Sequence, residues 1–251
     1  MNIQPLSDLH MEMIKNTFSI PATDADVIVL AGDINLGTKG VEWANTEAAR
    51  LQKPIIYVAG NHEHYKEDYY TNVMAMRAAA GDNVYFLEQE EVLLNGVRFL
   101  GATLWSDYMA TGQHDQYQNM QKVAILDDYR LIRFGSLYKF RPEDALAIHK
   151  KTVSWLKVKL TDGFDGQTVV VTHHGPSLNC VHPAHGINAI SSCFFSDLDD
   201  LVEKADLWVY GHTHSNLDTK IGKCRLLSNQ KEYPEAIPSV GDFQADKVVS
   251  L

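Results

Sequence analysis

Short runs of apolar residues recur along this chain, and each empties into polar residues of one kind. Ile55-Ile56-Tyr57-Val58-Ala59 stops at Gly60 and delivers Asn61, His62, Glu63 and His64. Val27-Ile28-Val29-Leu30-Ala31 ends in Gly32-Asp33, Thr168-Val169-Val170-Val171-Thr172 in His173-His174, and Leu207-Trp208-Val209-Tyr210 in Gly211-His212-Thr213-His214. Near the start, Ile3-Gln4-Pro5-Leu6-Ser7 runs into Asp8-Leu9-His10. Continuous β-branched and aromatic runs of this length predict strands buried on both faces. Open α/β sheets bind ligands at the carboxyl ends of their strands. Packing alone does not call for Asp, Asn or His at five strand ends.

Between the runs the period changes. Val41, Trp43, Ala44, Ala48 and Leu51 predict a helix crossing back over the sheet, and a second helix is expected over 69–80, stopping at Gly81. Strand–helix–strand units of this kind imply parallel strands with right-handed crossovers. Three further strands are expected at 84–87, 91–94 and 97–100, the last two joined by the hairpin pair Asn95-Gly96. These are expected to be antiparallel, giving a mixed sheet or two packed sheets. Arg141-Pro142-Glu143-Asp144 opens a helix to about residue 160, and Ser196 begins a capped helix to about 204. Terminal β-structure is expected over 221–226 and 247–251, and Pro5 implies a strand end or bulge.

Two segments do not follow the pattern. Residues 105–141 are rich in Gln, Asn, Asp and Tyr and are expected to be an insertion over the site, within one domain spanning 1–251. Arg130 and Arg133 lie there. They are candidates either to grip a phosphate through the guanidinium fork or to pair in solvent with Asp127, Asp128, Glu143 and Asp144. Residues 176–196, with Asn179, His182, His185 and Asn188, are too polar and too long for a simple connection and are expected at a substrate entrance.

Composition narrows the classes. The formal charge of −10 works against general nucleic-acid binding. An odd set of cysteines, Cys180, Cys193 and Cys224, without CxxC spacing, suggests reduced thiols, and a strand begins at once where a cleavable signal would lie. A cytoplasmic protein with no membrane span is expected; oligomeric state is left open.

The strand-end residues Asp8, His10, Asp33, Asn61, His173, His212 and His214 combine two carboxylates, an amide oxygen and four imidazoles. That exceeds one tetrahedral zinc and fits two ions sharing a carboxylate, with manganese, iron or zinc suiting the mixed donors. In order, DxH, GD, GNHE, a strand-end His and GHxH resemble the calcineurin-like metallophosphoesterases over about residues 3–230. The resemblance implies an α/β fold: a four-layer α/β/β/α sandwich of two mixed sheets flanked by helices. It implies that Asp8, His10 and His214 hold one ion, that Asn61, His173 and His212 hold the other, and that Asp33 bridges them. It further implies a metal-bridging hydroxide as nucleophile, His62 beside the substrate phosphate as proton donor, and a small phosphorylated substrate, monoester or diester. Glu63 is expected to lie outside the ligands and orient His62, His174 to lie further out, and His64 to serve packing. Ile34-Asn35-Leu36-Gly37 stands where serine/threonine protein phosphatases carry DRG, which weighs against that branch. A non-catalytic scaffold on the same fold is the competing class; such relatives tend to lose ligands that are all present here.

Overall fold

The computed structural model describes residues 1–14, 18–135, 138–233 and 242–251. Two mixed sheets form the centre. The first holds β1 (Asn2–Leu6), β2 (Val27–Ala31), β3 (Ile55–Val58) and β4 (Val84–Phe86) in parallel, with β13 (Val249–Ser250) antiparallel outside β1. The second has the order β11 (Asp218–Ile221), β12 (Cys224–Ser228), β10 (Leu207–Tyr210), β9 (Thr168–Thr172), β6 (Val97–Ala102), β5 (Glu90–Leu94). Its inner four strands are parallel and its two edges antiparallel.

The apolar runs alternate faces. Val27, Val29, Ala31, Ile56 and Val58 meet Phe99, Val169, Val171, Val209 and Leu227 between the sheets. Ile28, Leu30, Ile55 and Tyr57 turn the other way, onto helices α1 (Lys39–Leu51) and α2 (Tyr69–Ala79). Leu100, Val170, Trp208 and Leu226 face α5 (Pro142–Thr161) and the short α6 (Asp199–Val202). The result is the expected α/β/β/α sandwich. Each Val or Leu removed from water contributes about 1.5–3 kcal/mol, and the strands contribute on both faces. A one-residue slip would exchange one apolar set for another, so polarity does not fix register here. The turns do: Asp8 N donates to Gly32 O at 3.0 Å and His10 N to Asp33 O at 3.0 Å.

Several expectations are corrected in detail. Val84-Tyr85-Phe86 is a parallel strand of the first sheet, and the chain passes to the second sheet before β5; only β5 and β6 form the antiparallel hairpin, with Asn95 at φ 49° and Gly96 at φ 79°. Pro5 lies inside β1 without a bulge. It is paired with Val29 of β2, while β13 reaches only Asn2 and Ile3, so no ladder bond needs the missing N–H. The helix expected over 196–204 is shorter, because Ser196 is drawn into a bridge region beside Gly175. The 105–141 segment folds as α3 (Gln116–Val123), α4 (Asp127–Leu131) and the hairpin β7 (Arg133–Phe134)–β8 (Tyr138–Lys139), with residues 136 and 137 outside the described residues. The three cysteines are free and buried. No helix among the described residues is long and apolar enough to cross a membrane.

Candidate metal centre

The carboxyl ends of β1, β2 and β3 in one sheet and of β9 and β10 in the other converge, and each delivers polar side chains to a common point. The backbone there is unusual. Asp8, His10, Asp33, His212 and His214 all sit in the left-handed region, with φ between 45° and 69°. Non-glycine residues occupy it at some energetic cost, and such residues gather at functional sites. Asp8 and His10 are aimed inward by two left-handed turns, not by an extended chain. Gly60 is required by close approach: a Cβ there would press on Asp33 Oδ1 and lie 2.6 Å from Asp33 N.

Three overlapping groups of donors result: Asp8, His10 and His214; His10, Asp33 and His62; Asp33, His173 and His212, with the ligand atoms of each group within 4.8 Å of one another. His10 Nε2 lies 3.2 Å from His214 Nε2, and His214 Nε2 lies 3.3 Å from Asp8 Oδ1. On the other side His173 Nε2 lies 3.2 Å from His212 Nδ1 and 3.0 Å from Asn61 Oδ1. Asp33 faces both: Oδ2 is 3.9 Å from His10 Nε2, and Oδ1 is 3.4 Å from His173 Nε2. All seven strand-end residues singled out in the sequence thus come together.

The groups that orient them were mostly not foreseen. Asn61 donates through Nδ2 to Asp128 Oδ1 at 2.8 Å and to the Tyr65 hydroxyl at 3.1 Å, which leaves Oδ1 for the cluster. Asp128, one of the acids that could have paired with Arg130 or Arg133 in solvent, is buried. Glu12 Oε1 lies 2.9 Å from His62 Nδ1 and 3.2 Å from His10 Nδ1 and so turns both Nε2 atoms inward. Glu63, expected to orient His62, instead receives Asp33 N, Ile34 N, Gly60 N and the Tyr57 hydroxyl. It clamps two strand-end turns together. His174 packs behind His212, ring centroids 4.2 Å apart, and bonds at Nδ1 with Thr103 O. His64 is buried against Tyr69 and Trp105, in the core as expected. The only sequence signal for Glu12 was its place two residues after His10; Asp128 had none.

The cluster recruits positive charge. Burial alone would raise the Asp33 carboxyl, yet His173, His62 and His10 hold it well below the usual carboxylate range. Asp8 is likewise lowered against burial by His214 and His173. Burial disfavours protonated His173, but Asp33 and Asp8 raise it to about 10, and Asp33 with Glu12 raises His62 to about 9. Glu12 falls to about 2 despite burial, through its bonds to His10 and His62. His212 is held neutral by burial and by the neighbouring imidazoles His174 and His173.

The cluster floors a cavity of about 540 Å³. Its lining includes Asn61, His62, Tyr65, Leu126, Asp127, Asp128, His182, His185, Phe194, Glu232 and Tyr233. The Tyr233 hydroxyl lies 3.1 Å from His62 Nε2.

The calcineurin-like phosphoesterase family matches residues 6–216. The chain belongs to that family. An uncharacterised protein, L509, of Acanthamoeba polyphaga mimivirus is 24% identical over 260 residues, covering 91% of this chain and 90% of the relative. The crystal structure of a phosphopantetheinyl hydrolase from Mycobacterium tuberculosis superposes with a TM-score of 0.69 at 19% identity, covering 93% of this chain and 90% of that one.

Calcineurin-like phosphoesterases depend on metal ions, and the donors present fit cations. Imidazole nitrogens face one another at 3.2 Å across both halves, an arrangement that a cation between them relieves. Two sequence candidates lie elsewhere in this phosphoesterase. Arg130 is exposed and pairs with Asp127 at 3.3 Å, and Arg133 donates to Lys66 O at 3.1 Å. Neither lines the cavity; both follow helix and hairpin faces turned to solvent.

Proposed function

We propose that this phosphoesterase hydrolyses small phosphate esters at two divalent cations. Asp8, His10 and His214 hold one, Asn61, His173 and His212 the other, and Asp33 contributes to both. The observation that carries this reading is the divided Asp33 carboxylate, Oδ2 toward His10 and Oδ1 toward His173. Manganese, iron or zinc suits such mixed donors. Bound there, the ions would lower the pKa of water and draw charge from phosphoryl oxygens.

The chain's own groups supply the rest. His62 lines the cavity with its Nε2 3.8 Å from Asp33 Oδ2, and although burial disfavours its protonated form, Asp33 and Glu12 favour it. It is the donor to the departing ester oxygen. Glu12 fixes its ring through Nδ1. Asp128 keeps the Asn61 oxygen turned inward. The net charge of −10, and a cavity without Lys or Arg among the described residues, support a small ester over nucleic acid. The likeness to a phosphopantetheinyl hydrolase adds phosphopantetheinyl compounds to those to try.

The test is hydrolysis of paired aryl phosphate mono- and diesters by metal-stripped protein with manganese added back. Manganese-dependent cleavage supports the reading, and the preferred ester separates phosphatase from phosphodiesterase. Two bound ions without turnover of any ester would overturn it in favour of a scaffold.

A further inference from the structure

After β12 the chain runs on as residues 229–233, which bring Glu232 and Tyr233 to the cavity, and this segment is firmly held. Asn229 Nδ2 donates to Pro5 O at 2.8 Å, Gln230 Oε1 receives His214 N at 2.7 Å, and the Tyr233 hydroxyl meets His62 Nε2. Between these anchors stands Glu232. It is 4% exposed, adopts φ 71°, lines the cavity, and its Oε1 has no hydrogen-bond partner. A buried carboxylate oxygen left unpaired is costly, and a left-handed glutamate adds to that cost. Both features are understandable if a ligand completes the contact.

The other acids of the wall are already engaged. Asp33 belongs to the cluster, Asp128 receives Asn61 and Tyr65, and Asp127 meets Arg130. Among the described residues no Lys or Arg lines the cavity. A second phosphate or a carboxylate on the substrate would meet imidazoles but no Lys or Arg among the described lining residues, and would face Glu232. An ammonium group would give Glu232 the donor it lacks, and Phe194 and Tyr233 also line the cavity, offering apolar surface to the carbon chain.

We propose that the site selects phosphate esters bearing one phosphoryl group and a primary ammonium group, and that Glu232 receives the ammonium. This rests on the phosphoesterase reading above. The test is calorimetric titration of the manganese-loaded protein with aminoalkylphosphonates of increasing chain length, each against the alkylphosphonate of equal length. At the best length the amino compound is expected to bind about tenfold tighter, the scale of a charge-assisted hydrogen bond after desolvation. Glu232→Gln should bring the ratio to about one. Equal binding at every length in the wild type overturns the proposal while leaving phosphoester chemistry intact. Binding of neither series overturns both readings. A ratio unchanged in Glu232→Gln shows that another group receives the ammonium and removes Glu232 from the role.

Discussion

The carboxylate of Asp128 receives the Asn61 amide nitrogen at 2.8 Å across 67 residues of chain, and this decides which end of that amide faces the metal cluster. An amide offers a donor at one end and an acceptor at the other, and only the oxygen can serve a cation. Asp128→Ala should therefore leave the Asp8, His10 and His214 half intact. Affinity at the other half should fall roughly 10–100-fold, as for lost partners of metal ligands. Metal titration would show two sites of similar affinity in the wild type and one weakened site in the variant. Unchanged affinity at both would remove Asp128 from this role.

Glu12 orders two imidazoles at once. Glu12→Gln should lower kcat about tenfold or more by freeing the His62 ring, and His62→Ala should lower it at least about a hundredfold, the low end for a general acid. Both should keep their ions. Metal content measured beside turnover separates the outcomes, since ion loss in His62→Ala would make His62 a ligand.

Glu63 receives four donors on two buried oxygens. Glutamine offers one oxygen and sets an NH₂ against backbone N–H groups. Glu63→Gln should cost roughly 2–5 kcal/mol, from unsatisfied buried groups. Urea denaturation of the metal-free protein measures it; a loss below about 0.5 kcal/mol would contradict the clamp.

Asp33→Asn should weaken both ions together. In the wild type, manganese at a hundred times its dissociation constant should stabilise the fold by about 2.7 kcal/mol per site, and chelation should reverse this. Thermal unfolding with and without manganese reports it. A variant that loses a single ion would refute the shared carboxylate.

His149 is buried in α5, with Nδ1 bonded to Leu104 O at 3.2 Å, and burial depresses its pKa below the ordinary value of 6.5. Above pH 6.5 it is neutral folded or unfolded and contributes no pH dependence. As pH falls through 6.5 the unfolded chain takes up a proton that the folded chain refuses, so stability is lost at up to about 1.4 kcal/mol per pH unit. His149→Gln should flatten the fall in stability between pH 7 and pH 5 relative to the wild type. Parallel curves for the two proteins would place the loss in other histidines.

Much of this protein is written locally. Runs such as Val27–Ala31 and Thr168–Thr172 are β-branched or apolar and buried at every position because both of their faces are covered, and continuity over so short a length is legible without a structure. The ligand set was legible for a related reason: a strand end is a local event, and Asp33, Asn61, His173 and His212 each lie within three residues of the end of their strand. What tertiary structure alone decided is everything that depends on two distant segments meeting. Asp128 sits in a helix that carries no metal-ligand motif, and its role exists because the fold brings it to Asn61 and Tyr65, which follow β3. Glu12 takes the task that sequence proximity suggested for Glu63, because Glu63 turns back beneath the β2 and β3 turns while Glu12 reaches across to His62. Glu232 and Tyr233 follow a strand in the opposite half of the sandwich, and only the folded chain brings them over the site. Local pattern reports which faces are buried and which residues end a strand; orientation within the site comes from hydrogen bonds between segments that pattern does not relate.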